Sequence, residues 1–153
     1  MRPQPTHDEA VPNANGVFVE ALVRLSTLTG DERERRMADH ELNILAAVAS
    51  ASPVSHTSIL NALDLHLRGL TIVVTGEEQG DLTRVALRLP YLDRTVCAAE
   101  SVSGLRDAQP AKAQALQREW PRALVCAGMR CSLPITSPGD LVERASEMAR
   151  MLS

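Results

Sequence analysis

The first eleven residues are proline-rich and polar and predict irregular or extended chain. From Val17 to Arg68 apolar positions recur every three to four residues, and beyond residue 69 they gather into short continuous runs. The recurring pattern is that of amphipathic helices and the continuous one that of strands buried on both faces. In "VPNANGVFVEALVRLSTLTG", Val17, Ala21, Leu22, Leu25 and Leu28 fall on one helical face. Asn13 or Asn15 can cap the start of this helix, and Gly30 stops it. Asp31 caps the next helix, with Glu34 three residues on as the other half of a capping box. That helix carries Met37, Ile44, Leu45 and Val48 and ends near "SASP". The two form a hairpin with almost no loop. "VSHTSILNALDLHLRG" predicts a third helix, capped by Ser55 and ended by Gly69.

Beyond this point "LTIVV" predicts a buried strand, "DLTRVALRL" a helix presenting Leu82, Val85, Ala86 and Leu89, and Pro90 its end. "RTVCAAE" and "RALVCAG" are two further strand candidates. Between them "SGLRDAQPAKAQALQREWP" is polar, with room for one or two helical turns. In "TSPGDLVERASEMARML", Ser137 is the cap, Pro138 sits in the first turn, and Asp140 stands where a box partner belongs. Strand, helix, strand, linker, strand, helix is a βαβ-type order, which predicts a small three-stranded parallel sheet with flanking helices. The expected fold class is thus mixed α+β and α/β. Residues 1–68 make a helical segment, and residues 69–153 a small α/β tail domain.

The chain has 153 residues, of which 44% are hydrophobic and only 2% aromatic, namely Phe18, Tyr91 and Trp120. A core built of Leu, Val, Ile, Ala and Met follows. So few rings argue against a platform for stacking single-stranded nucleic acid. Sixteen basic and nineteen acidic residues give a formal charge of −3, with no basic footprint for phosphate backbones or anionic membranes. The cluster "RERRMADH" lies beside acids and reads as a solvated helix face. No apolar run reaches the length of a membrane span, and "MRPQPTHDEA" has no hydrophobic signal region. The expectation is a cytoplasmic chain with no nucleic-acid or membrane partner and no cofactor. In that compartment its three cysteines stay reduced rather than forming a disulfide framework.

Four residues separate Cys126 from Cys131. A metal site needs about four ligands, and no histidine lies after His66 to complete one. The spacing also departs from the C-x-x-C of dithiol redox motifs. The pair reads as structural cysteines, one packed in a strand and one in the loop behind it. "VVTGEEQGD" joins a strand to a helix, where phosphates bind, yet it lacks the P-loop and dinucleotide patterns and puts Glu77 and Glu78 where an anion would sit. His56 and His66 are too far apart on one helix to share a metal ion, and His40 lies in a charged helix. The remaining candidate is "THDEAVPNANG", where His7, Asp8, Glu9 and Asn15 could line a pocket at a helix start. The competing reading is plain helix-start chemistry, since acids favour helix N-termini.

"HDEAVPNANGVFVEALVRLSTLTGDERERR" resembles the last helical hairpin of a bacterial and eukaryotic family, the spermatogenesis-associated thioredoxin-like proteins and their bacterial relatives. Its members join an N-terminal thioredoxin-like domain to a six-hairpin helical barrel similar to N-acylglucosamine 2-epimerases. "TIVVTGEEQGDLTRVAL" and "VCAGMRCSLPITSPGDL" resemble the short α/β tail of those proteins. Asn15 matches an asparagine of the family, while Ala14 stands where the family has glycine and Glu34 where it often has tyrosine. The resemblance implies that Cys131 and Cys126 are parts of the tail's fold. It also implies that the thioredoxin-like domain and most of the barrel would precede residue 1. The function it implies is that of a non-catalytic C-terminal segment acting by self-association, as a homo-oligomer, or as a partner subunit to a protein supplying the missing helices. The alternative is a carbohydrate epimerase or isomerase activity in an assembled oligomer, with Asp8 or His7 as acid/base group.

Overall fold

A computed structural model describes residues 6–75, 80–99, 105–116, 122–128 and 130–152. These residues hold six α-helices and a four-stranded mixed sheet, and the chain divides into two compact units, Met1–Leu67 and Arg68–Ser153.

The first unit contains helix α1 (Ala14–Thr29), helix α2 (Glu32–Ala51), a 3-10 turn (Pro53–His56) and helix α3 (Thr57–Arg68). Asn13 is the cap of α1, its side-chain oxygen accepting from the Asn15 amide at 2.8 Å. Gly30 ends that helix with φ at 73°, a left-handed conformation that costs glycine nothing, and its N–H returns to the Ser26 carbonyl. Asp31 caps α2 by accepting from the Arg33 amide. The reciprocal half of the expected capping box is rerouted: Glu34 accepts from the Thr29 hydroxyl, and it is Thr29 Oγ1 that receives the Asp31 amide. The core of this unit is Val19, Leu22 and Val23 of α1, Ala38, Leu42, Leu45 and Ala49 of α2, and Ile59, Ala62 and Leu65 of α3.

That core corrects the expected helix faces. Of the apolar positions read as core, Leu22 and Leu45 are buried, while Val17, Ala21, Leu25, Leu28, Met37, Ile44 and Val48 are exposed. Both α1 and α2 therefore carry two apolar stripes, and periodicity alone does not say which one faces inward.

The second unit contains strand β1 (Leu70–Thr75), helix α4 (Asp81–Arg88), strand β2 (Arg94–Ala99), helix α5 (Pro110–Ala115), strand β3 (Arg122–Ala127), strand β4 (Arg130–Cys131) and helix α6 (Pro138–Arg150). The strand order is β2-β1-β3-β4. On one face Leu70, Ile72, Val74, Ala123 and Val125 pack with Leu82 and Ala86 of α4 and Leu141, Ala145 and Met148 of α6. On the other face Val73, Leu124 and Cys126 pack with Leu105, Leu116 and Ala113 of α5. Central β1 is covered on both sides, which is why it reads as an unbroken β-branched run. Ser137 caps α6 by accepting from the Asp140 amide at 3.1 Å.

Only the β1–β2 pair is parallel; β3 runs antiparallel to β1, and β4 antiparallel to β3. The expected three-stranded parallel sheet is thus a four-stranded mixed one. The register supplies the reason. Ala99, the last residue of β2, and Arg122, the first of β3, both pair with Thr75. The connection leaves and re-enters the sheet at one end, so β3 must run back. Two-residue β4 was missed because it is too short to leave a periodic signal.

Arg94, at the start of β2, closes the C-terminal end of α4: Nε donates to the Ala86 carbonyl at 3.2 Å, Nη2 to Leu87 at 2.6 Å, and Nη1 to Tyr91. A planar fork presents N–H donors from three nitrogens in fixed directions to several carbonyls at once, a spread that the single nitrogen of an ammonium does not reproduce. Arg94→Met is expected to destabilise the α/β unit by about 2–3 kcal/mol, with Arg94→Lys recovering less than half of that. Hydrogen exchange at the β1 amides, followed for each variant, checks both values.

Candidate functional site

The sequence segment 7–15 folds around one side chain, Asp8. Its backbone N–H donates to the Ser55 carbonyl at 2.7 Å, which fixes the segment beside the start of α3. Its carboxylate then accepts four hydrogen bonds. Oδ1 takes the Asn13 amide at 2.7 Å and the Ser58 hydroxyl at 2.5 Å. Oδ2 takes the Thr57 hydroxyl at 2.7 Å and the Ser58 amide at 2.9 Å. The first turn of α3 is therefore capped from fifty residues away in sequence, not by Ser55, whose hydroxyl pairs with that of Ser52. One carboxylate serves the approach to α1 and the start of α3 together.

The Ser58 hydroxyl holds the Asp8 carboxyl well below the usual carboxylate range, reinforced by the Ser58 and Asn13 amides and the Thr57 hydroxyl. Burial opposes this but is outweighed. A carboxylate so held stays ionised and is a poor proton donor at neutral pH. All four of its strong acceptor directions are occupied by the fold.

The other expected pocket residues do not converge with it. The His7 and Glu9 side chains are exposed. His7 contributes its carbonyl, which accepts from Asn13 Nδ2 at 3.4 Å, and the Glu9 amide donates to the Val11 carbonyl. Asn15 is half-buried and gives its amide to the cap of α1. What sequence reasoning missed are the partners: Thr57, Ser58 and Gly16. At Gly16 the α1 backbone lies so close to Ser58 that a Cβ would stand 2.7 Å from the Ser58 carbonyl carbon. An adjacent Thr-Ser pair opening a helix, together with a glycine in the first turn of another, was the available signal.

Two histidines are tied into the same unit. His56 is buried, with Nδ1 2.8 Å from the Ser52 carbonyl and Nε2 3.4 Å from the Thr6 hydroxyl. A carbonyl only accepts, so Nδ1 carries the proton. His66 Nε2 lies 3.0 Å from Asp39 Oδ1. His40 is exposed. Among the described residues there is no group of three or more His, Cys, Asp or Glu side chains that could hold a metal ion.

In the second unit, Cys126 and Cys131 form a disulfide, their Cα atoms 4.0 Å apart. This corrects the expectation that the cysteines stay reduced and that Cys131 sits in a loop. The two residues are directly opposed across the β3–β4 hairpin, whose turn passes through Gly128 at φ 55°. Such opposed positions bring thiols within bonding reach without moving the backbone. Cys97 is the third cysteine; burial pushes its thiol up, partly offset by Lys112, whose own ammonium burial pushes down. A depression of about 190 Å³ is lined by Leu133, Pro134, Ile135, Thr136, Asp140, Glu143 and Arg144. It is smaller than pockets that enclose a drug-sized molecule. The turn with Glu77 and Glu78 lies outside the described residues. No helix among the described residues is long and apolar enough to cross a membrane.

No protein-family model matches the chain, and no curated protein matches it. The chemistry of the site rests on its own geometry, which is that of a fastener between helices.

Asp8→Asn places an amide N–H₂ against donors at Thr57 and Ser58 and is expected to destabilise the helical unit by about 2–4 kcal/mol at pH 7. Since the folded state lowers the Asp8 pKa, its stabilisation is complete above the unfolded value near 4. It is withdrawn as pH falls below that value and through the folded one. Thermal melts between neutral and acid pH should therefore show the gap between wild type and Asp8→Asn closing as pH falls. Gly16→Ala should also destabilise, by about 1–2 kcal/mol, because the overpacking against Ser58 exceeds the helix-propensity gain of alanine. A raised melting temperature for this variant would contradict the close approach.

Proposed function

We propose that this chain is a non-catalytic C-terminal segment of the thioredoxin-like and helical-barrel family it resembles, acting through association of its helical unit with a second copy of itself. The observation that carries this reading is the second apolar stripe. Phe18, Ala21, Leu25 and Leu28 follow one another on α1 at alternating steps of three and four residues, and all are exposed, Phe18 at 48%. This is the seam spacing of helices that pack side by side. Met37, Ile44 and Val48 form a similar exposed stripe on α2, with Ile44 at 55%. Apolar seams of this length on a surface favour association. A hairpin whose two helices both carry one is suited to an isologous contact, in which each copy offers the other the same face.

The saturated Asp8 carboxylate supports a non-catalytic role over sugar isomerisation. Isomerase chemistry needs two acid/base groups facing across a pocket, and Asp8 has its acceptor directions filled while His7 points to solvent. Cytoplasmic residence belongs to the same proposal.

Light scattering on size-exclusion eluate over a concentration series tests it. A dimer is expected, and Phe18→Glu should weaken it by about 2–3 kcal/mol, roughly a hundredfold in dissociation constant. A wild-type monomer at every concentration removes the self-association reading. Should such a monomer instead bind a protein that supplies further barrel helices, the partner-subunit form of the proposal takes its place.

A further inference from the structure

The Cys126–Cys131 bridge differs from a fold-wide staple in what it joins. Its two residues are already opposed in a tight hairpin, so the cross-link encloses four residues and confines only the two-residue strand β4. Cross-links restrain the unfolded chain least when the loop they close is short. The rest of the sheet does not depend on it: β1 holds six-residue registers with both β2 and β3. Beyond the bridge, β4 is held by the Ala127–Arg130 pairing, by the Ser132 amide donating to the Val125 carbonyl at 2.8 Å, and by Ser132 Oγ accepting from the Val125 amide.

The two sulfurs are also unequal. Cys126 is 1% exposed, packed with Val73, Leu105, Ala113, Leu116 and Leu124, whereas Cys131 lies on the exposed edge strand. An attacking thiolate needs access along the S–S axis, and only Cys131 offers it. Cys97 does not compete from within. It pairs with Val73, which pairs with Leu124, so Cys97 lies two strands from β3's cysteine. Two strand spacings are about 10 Å, beyond the roughly 7 Å over which two cysteines can be bridged.

We infer that the Cys126–Cys131 disulfide is a reversible latch on the sheet edge and that Cys131 is the site at which a low-molecular-weight thiol exchanges with it. The thiolate of one such molecule bonds to Cys131 Sγ, the S–S bond breaks, and Cys126 leaves as a thiolate that takes up a proton. A second thiol then displaces the first from Cys131. The products are two cysteine thiols and the oxidised low-molecular-weight disulfide, so two electrons pass to the protein. Because Cys126 emerges among apolar side chains, its thiolate is disfavoured and the intermediate adduct persists on Cys131 until the second thiol arrives. Opening the latch leaves β4 on the Ala127–Arg130 pairing and the Ser132 hydrogen bonds alone, so it loosens while β1, β2 and β3 keep their pairing.

Reduced glutathione added to the oxidised 153-residue chain, with acid quenching, alkylation and peptide mapping, tests this. Glutathione is expected on Cys131 in about tenfold excess or more over Cys126. Amide exchange should quicken at Ser132 while Ile72 and Val74 stay protected, and Cys97→Ser should leave both results unchanged. Equal adducts on the two cysteines, a bridge that yields only once the chain is unfolded, unchanged protection at Ser132, or loss of exchange in Cys97→Ser would each overturn the inference.

Discussion

Four donors converge on the Asp8 carboxylate, and the arrangement of the helical unit depends on them. The Asn13 amide belongs to the approach to α1, and the Thr57 hydroxyl and both Ser58 groups belong to the first turn of α3. Helix starts leave amides without intrahelical partners, and here one ionised side chain satisfies them at the starts of both α1 and α3. Gly16 is the steric counterpart, because only a residue without a Cβ lets α1 come this close to Ser58. With α1 and α3 joined in this way, α2 closes the core through Ala38, Leu42, Leu45 and Ala49. The same bonds that organise the unit remove Asp8 from acid/base chemistry, so the most titration-perturbed carboxylate in the helical unit is a structural one. Perturbed groups mark functional sites only when something is left for a substrate to bind.

In the α/β unit the governing constraint is the end of the sheet at which the chain turns. Thr75 pairs with both Ala99 and Arg122, so the chain leaves β2 and enters β3 at the same end of the sheet, on opposite sides of β1. This gives β3 its antiparallel direction and leaves its outer edge for a hairpin partner. β4 fills that edge for two residues, and the isolated bridge between Ala123 and Ile135 extends the cover. Short edge strands are a common means of blunting an edge against unwanted pairing. A covalent bond across so short a strand makes that cover conditional on the redox state of two cysteines.

The two units manage apolar surface differently. The sheet buries both faces, one under α4 and α6 and the other under Leu105, Leu116 and α5. The helical hairpin buries one stripe of each helix and leaves a second outside. Small-residue positions such as Ala38, Ala49 and Ala62 line the chosen interior, and the bulkier Phe18, Met37 and Ile44 are left out. Close helix approach favours small side chains at the contact, which accounts for a core less bulky than the surface stripe.

Local interactions were legible in the sequence. The helix caps at Asn13, Asp31 and Ser137, the stop at Gly30 and the buried run of β1 act within a few residues, so residue type and spacing suffice to find them. The candidate segment around Asp8 was also visible, as titratable groups before a helix start. Its role was not, because three of the four donors come from Thr57 and Ser58, and no local pattern links residues fifty apart. The same limit hid the direction of β3, which follows from where the chain re-enters the sheet, and the disulfide, which needs Cys131 placed on a strand opposite Cys126. It also hid which stripe of α1 and α2 lies inside. Two apolar faces on one helix are equivalent by period, and only packing against α3, through Gly16 and Ser58, distinguishes them.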